Sequence, residues 1–116
     1  MTGRAVAALL GAALLAVAPI PLPAQEIPAF VPVLLVPGWA DTGEDVAVLQ
    51  ERLRAAGWPE DRVAAVTFEH PSGSNRIHAR EIAVAVDSLL ARTGEARVDV
   101  VAHSMGGLAT RYYLRE

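Results

Sequence analysis

The chain has 116 residues, of which 53% are hydrophobic and 20% charged, and it contains no cysteine. This length allows at most one small domain, and the composition argues against a disordered chain. A net charge of −3 argues against a nucleic-acid partner, because such a partner requires a strongly basic face. The lack of cysteine excludes a disulfide framework, a thiolate nucleophile and a cysteine-bound zinc.

Residues 1–24 have the pattern of a secretory signal peptide. Arg4 supplies a positive charge, residues 5–18 are apolar, and a proline-rich tail ends at Ala24. We expect cleavage after Ala24, because a proline follows the other small residue, Ala18. The alternative is an uncleaved membrane anchor, but the apolar run is shorter than the roughly 20 residues that span a bilayer. The sequence therefore predicts a secreted or periplasmic protein without a stable membrane span.

The chain that follows begins with a predicted buried strand and an amphipathic helix. Residues 30–36 form a continuous apolar run, which is typical of a strand covered on both faces in a parallel sheet. Thr42, with Asp45 three residues later, predicts a helix start. The helix extends to about residue 56, where Gly57 ends it. Its apolar face comprises Val46, Leu49, Leu53 and Ala56.

Two further strand–helix pairs follow along the chain. Residues 63–68 and 97–102 are predicted strands, and residues 76–92 and 105–115 are predicted helices. The first of these helices has an apolar stripe at Ile82, Val86, Leu89 and Leu90. The order β-α-β-α-β-α with short connections predicts a three-layer α/β/α fold, built on a parallel sheet with right-handed crossovers.

The turn between the third strand and the third helix carries the predicted chemistry. A strand that runs directly into Ser104 and then into a helix forces the serine backbone to positive φ. The hydroxyl then projects from the carboxyl edge of the sheet, and the Met105 amide faces the same point. We therefore interpret Ser104 as a nucleophile and Met105 as an oxyanion-hole donor. The residues interpreted as supporting this turn are Ala102, His103, Gly106 and Gly107.

A second oxyanion-hole donor is expected from the loop after the first strand, Val36-Pro37-Gly38-Trp39. Gly38 allows the backbone to pass close to a substrate, and the amide of Trp39 is the candidate donor. A developing oxyanion is stabilised by such donors when they are already in place. The Trp39 side chain would form a wall of the acyl site.

These two segments resemble the α/β-hydrolase superfamily and, within it, the secreted bacterial lipases and esterases. The resemblance is carried by residues 98–108 (VDVVAHSMGGL) and 33–39 (VLLVPGW), and it covers about residues 30–116. Ala102 stands where the G-x-S-x-G form of the motif has glycine. The resemblance implies a serine carboxylic-ester hydrolase that forms an acyl-enzyme, an ester or lipid substrate, and no cofactor or metal.

The resemblance also predicts where the rest of the catalytic triad lies. In the family the acid and the histidine follow the nucleophile, whereas this chain ends twelve residues after Ser104. We therefore expect residues 25–116 to be the N-terminal half of a hydrolase domain, nearly inactive alone. None of the three histidines is favoured as a local base. His103 is expected to support the turn and His78 to be solvated, and a position at the border of the site is open to His70 at the end of the second strand.

Two alternatives remain open at this point. The same fold and nucleophile would serve an acyltransferase, a thioesterase or a polyester depolymerase. A catalytically inactive hydrolase remnant would also carry these motifs. Neither the acyl chain length nor the oligomeric state is indicated by the sequence.

Overall fold

The computed structural model describes residues 30–116, which form three strands and three α-helices. The predicted signal peptide, residues 1–24, and the start of the predicted domain at residue 25 lie outside the described residues. In chain order the elements are β1 (Val33–Val36), α1 (Ala47–Ala55), β2 (Val63–Ala65), α2 (Asn75–Thr93), β3 (Asp99–Ala102) and α3 (Gly106–Tyr113). The predicted alternation of strand and helix, and with it the α/β fold class, is confirmed.

The three strands form a parallel sheet in the order β2-β1-β3. Val33 pairs with Val63 on one side and with Asp99 on the other. All four residues of the central strand β1 are buried, as its continuous apolar sequence predicts. The chain moves from β1 to β2 on one side and then crosses to β3 on the other. Right-handed crossovers therefore place α1 and α2 on opposite faces of the sheet, which gives three layers.

The main core lies between the sheet and the pair of helices α2 and α3. Side chains alternate along a strand, so Leu34 and Val36 of β1 share this face. Ile82, Val86 and Leu89 of the predicted stripe of α2 pack onto it and are buried, whereas Leu90 is partly buried. Burial of each such side chain contributes about 1.5–3 kcal/mol. The buried cluster comprises Leu34, Val36, Val66, Phe68, Ile82, Val86, Leu89 and Ala109.

The first helix is present, but its α-helical part starts later than predicted. A 3-10 turn, Gly43–Val46, precedes α1, so the α-helix itself is shorter than predicted. No residue of α1 is buried, and Leu49 of the predicted apolar face is 39% exposed. Within residues 30–116 the main packing partners of α1 are β2 and the 3-10 turn, which cover little of that face.

The predicted strands are also longer than the observed ones. Only the residues that pair with β1 are strand, so β2 stops at Ala65 and β3 begins at Asp99. The helix ends are closer to prediction. Gly94 ends α2 in the left-handed conformation with a φ of 70°, and Ser74 caps its start by accepting a hydrogen bond from the Arg76 amide.

The predicted helix start at Thr42 is a reciprocal capping box. The Thr42 hydroxyl accepts a hydrogen bond from the Glu44 amide at 3.2 Å, and an Asp45 carboxylate oxygen accepts one from the Thr42 amide at 2.7 Å. The hydrogen bonds from the Thr42 amide and hydroxyl lower the pKa of Asp45. The 3-10 turn that leads into α1 is therefore fixed by two side chains.

Removal of this cap gives the first prediction. Thr42→Ala should lower the free energy of unfolding by about 1 kcal/mol, because a helix-start amide loses its acceptor. Urea denaturation measures the change, and Thr42→Ser, which keeps the hydroxyl, is the control. A Thr42→Ala variant as stable as the parent would show that the box contributes nothing.

Candidate active site

The predicted site residues meet at the carboxyl ends of β1 and β3. The connections from these neighbouring strands leave toward opposite faces of the sheet, and a crevice opens at such a switch point. The loop after β1, residues 37–41, lies on one side of the crevice and is called the oxyanion loop below, after the role predicted for it from the sequence. The turn after β3, residues 103–105, lies on the other side and is called the elbow. The topology thus brings together two segments that are far apart in sequence.

Ser104 sits at the apex of the elbow with a φ of 53°. The turn is closed by hydrogen bonds from the Gly106 amide to the His103 carbonyl and from the Gly107 amide to the Ser104 carbonyl, both at 3.0 Å. A non-glycine residue at positive φ costs of order 1–3 kcal/mol and persists only where its surroundings fix it. Here β3 and α3 fix both sides. The predicted positive φ is present, and Ser104 is exposed.

Gly106 shows why the elbow requires a residue without a side chain. It is buried, and a methyl group on it would overlap the carbonyl oxygen of Pro37 and lie 2.9 Å from that of Val36. The first turn of α3 therefore packs directly on the backbone at the end of β1. Gly107 differs, because a methyl group there would meet no atom within 4 Å. Ala102, the other predicted small position, has an exposed side chain on β3.

Gly38 lies where the oxyanion loop meets the elbow. A methyl group on Gly38 would lie 3.3 Å from Cβ of Ser104, 3.2 Å from Nδ1 of His103 and 2.9 Å from an Asp41 carboxylate oxygen. Cβ atoms rarely approach other atoms this closely, so the glycine allows the loop to lie against Ser104.

Two backbone amides next to this contact are free to bind a ligand. Among residues 30–116, the N–H groups of Trp39 and Met105 donate to no protein acceptor. Met105 is the N-cap residue of α3, where amides lack intrahelical partners and the helix dipole is positive. Free N–H groups beside a serine hydroxyl are what an oxyanion hole needs. The Trp39 side chain is 57% exposed.

The imidazole of His103 faces Asp41. Its Nδ1 lies 3.8 Å from a carboxylate oxygen of Asp41, and its side chain is 72% exposed. Among residues 30–116, no histidine forms a hydrogen bond with the Ser104 side chain.

The prediction that His78 is solvated is wrong. His78 is 3% exposed, and its ring stacks on Phe68 with a centroid distance of 3.9 Å and an interplanar angle of 14°. Its Nε2 lies 2.8 Å from the carbonyl oxygen of His70. The sequence carried a signal for this burial, since His78 falls four residues before Ile82, on the same helical stripe. The His70 side chain is exposed.

Sequence reasoning missed Ala40 in the oxyanion loop. Ala40 has a φ of 62°, and its amide donates a hydrogen bond to the Pro71 carbonyl at 3.1 Å. No glycine or asparagine occupies this position, so no local signal indicates a left-handed residue here. One small cleft joins the elbow, the oxyanion loop and the start of α2, and it is lined by Pro37, Gly38, Trp39, Phe68, Asn75, His78, Met105 and Gly106.

Two further properties concern the described part of the chain only. Residues 30–116 contain no group of three histidine, aspartate or glutamate side chains able to hold a metal ion. None of the helices in this range has the length and apolar character that crossing a membrane requires.

The family model of class 2 lipases matches residues 30–115, from just before β1 to the end of the described helices. The chain belongs to the class 2 lipases. The match includes both the oxyanion loop and the elbow, and it covers most of the sequence. The resemblance to lipases of the α/β-hydrolase type is therefore confirmed, and this class 2 lipase is a lipase-like hydrolase with an α/β fold.

Proposed function

We propose that this class 2 lipase is a secreted serine hydrolase of carboxylic esters, with Ser104 as its nucleophile. One observation carries the proposal. Ser104 is exposed at a φ of 53°, and the free amides of Trp39 and Met105 lie in the segments that meet across Gly38. Export rests on the signal-peptide pattern of residues 1–24.

The proposed reaction proceeds through an acyl-enzyme. The Ser104 Oγ attacks the ester carbonyl carbon, and its proton passes to a general base. The carbonyl oxygen becomes an oxyanion, to which the N–H groups of Trp39 and Met105 donate. Collapse of this intermediate breaks the ester bond, and the departing alcohol takes the proton from the base. Water, activated by the same base, then attacks the acyl-enzyme, which releases the acid and restores the serine.

We assign the general base to no residue between 30 and 116. His78 is buried and already bonded to a carbonyl, and His103 faces Asp41. The family order of serine, acid and histidine places both partners after the nucleophile. We therefore expect turnover to require a histidine beyond the described residues.

The exposed indole of Trp39 supports an apolar acyl group in the substrate. It is 57% exposed and adjoins the candidate oxyanion amide, so an acyl chain bound there would cover it. An acyltransferase or thioesterase of the same fold would use the same nucleophile. Product analysis with water and with an alcohol acceptor separates these activities from ester hydrolysis.

Active-site labelling tests the proposal directly. A fluorophosphonate probe should modify a full-length form that carries this segment, and mass spectrometry should place the phosphonyl group on Ser104. Ser104→Ala should abolish labelling, whereas Ser88→Ala, at an exposed position of α2, should leave it unchanged. Absence of an adduct on Ser104 would refute the proposal and favour an inactive remnant.

A further inference from the structure

The buried imidazole of His78 is linked to the oxyanion loop through the loop that follows β2. Its Nε2 lies 2.8 Å from the His70 carbonyl oxygen, which can only accept, so Nε2 carries the proton and donates it. The Gly73 amide donates to the same oxygen at 2.8 Å. Stacking on Phe68 fixes the plane of the ring. The loop is therefore held to the first turn of α2 at residue 70.

Pro71, the next residue of the loop after β2, forms a hydrogen bond with the oxyanion loop. The Pro71 carbonyl accepts a hydrogen bond from the Ala40 amide at 3.1 Å. Ala40 is at positive φ, a conformation that an L-residue keeps only when external contacts stabilise it. The Ala40 amide belongs to the peptide unit that follows Trp39. Its hydrogen bond therefore restrains the backbone that presents the Trp39 N–H.

The packing around this connection leaves little freedom. A methyl group on Gly73 would lie 2.8 Å from the His70 carbonyl oxygen and 3.3 Å from Nε2 of His78. His78 and Phe68 also line the same small cleft as Trp39 and Met105. A shift of the imidazole would therefore be transmitted to the backbone that forms the proposed oxyanion hole.

We propose that His78 is a positioning residue for the oxyanion hole, acting through the His70 and Pro71 carbonyls on the Ala40 amide. The inference rests on the proposed function, in which the Trp39 amide donates to the oxyanion. His78 is not itself the base, since it is buried and its Nε2 proton is donated to the His70 carbonyl. Its contribution is geometric, and a displacement of about 1 Å in such a site can cost a hundredfold in rate.

Two readouts on the full-length form test the proposal. His78→Phe keeps a buried aromatic ring but removes the donor, whereas His78→Gln keeps an N–H near the position of Nε2. In His78→Phe, hydrogen exchange of the Ala40 amide should accelerate about tenfold or more, because its acceptor loop is released. The kcat for a 4-nitrophenyl ester should fall roughly tenfold to a hundredfold at little-changed KM. His78→Gln should restore most of both quantities, and Ser88→Ala, at an exposed position of the same helix α2, should change neither.

Each other outcome has a definite meaning. If His78→Phe leaves Ala40 exchange unchanged, the connection through residues 70 and 71 is refuted. If exchange accelerates while kcat stays at the parent value, the positioning role is refuted. A parent protein that neither turns over esters nor reacts with the fluorophosphonate would refute the proposed function instead. Ala40 exchange would still report on the structural connection in that case.

Discussion

Ser104→Ala should lower kcat for ester hydrolysis by about 10⁴-fold or more in the full-length form. Alanine keeps the Cβ but removes the Oγ that would form the bond to the acyl carbon. No acyl-enzyme can then form, and only stabilisation of the oxyanion by backbone amides remains. The loss should appear in kcat, measured by release of 4-nitrophenol from an acyl ester.

The fold should tolerate this change, so the loss will not reflect unfolding. Ser104 is exposed, and among residues 30–116 its side chain forms no hydrogen bond that alanine would remove. The melting temperature should therefore stay near the parent value, and Ser88→Ala should retain full activity. A Ser104→Ala variant that keeps more than a small fraction of the parent rate would show that another group is the nucleophile.

Gly106→Ala should produce the largest loss of stability, about 3 kcal/mol in the free energy of unfolding. The added methyl group would overlap the Pro37 carbonyl oxygen and crowd that of Val36. Both atoms belong to the backbone at the end of the buried central strand, so neither can rotate away as a side-chain tip could. Overpacking of a core usually costs about 1–3 kcal/mol. Because the neighbouring backbone cannot move aside, we expect the cost at this site to be at the upper end of that range.

Gly107→Ala is the matched control for this effect. It lies next in the same helix, where a methyl group would meet nothing within 4 Å. Alanine favours a helix over glycine by roughly 0.5–1 kcal/mol, so this variant should be neutral or slightly more stable. Urea denaturation of both variants gives the comparison. Equal stabilities would contradict the close contact between α3 and the end of β1.

Much of the fold could be predicted from local patterns. The buried strand β1, the cap at Thr42 and the strand–Ser104–helix turn are each encoded within a few neighbouring residues. The lengths of β2 and β3 could not be predicted in this way, because they depend on pairing with β1. The exposure of α1 was also missed, since a helical stripe shows which face is apolar but not what covers it.

The candidate site likewise has features that could be predicted from the sequence and features that could not. The elbow and the oxyanion loop were each recognisable from sequence, and the order of the strands explains why they meet. The hydrogen bond between Ala40 and Pro71 was not recognisable, because it joins residues 31 positions apart. The left-handed conformation of Ala40 is also marked by no local signal. The burial of His78 was not predicted, because a polar residue near a helix end is usually solvated. Here its ring N–H donates a hydrogen bond to the His70 carbonyl, which allows the side chain to be buried.

The contact of Gly106 with the end of β1 has a consequence for how this scaffold can diversify. The start of α3 rests on the Val36 and Pro37 carbonyls, so backbone packed on backbone limits how the segments of the proposed donors, Met105 and Trp39, can move apart. Side chains outside this contact and outside the connection through His78 can therefore be substituted to reshape the walls of the site while the two proposed donors keep their separation. Substrate preference and charge stabilisation can thus vary independently of each other.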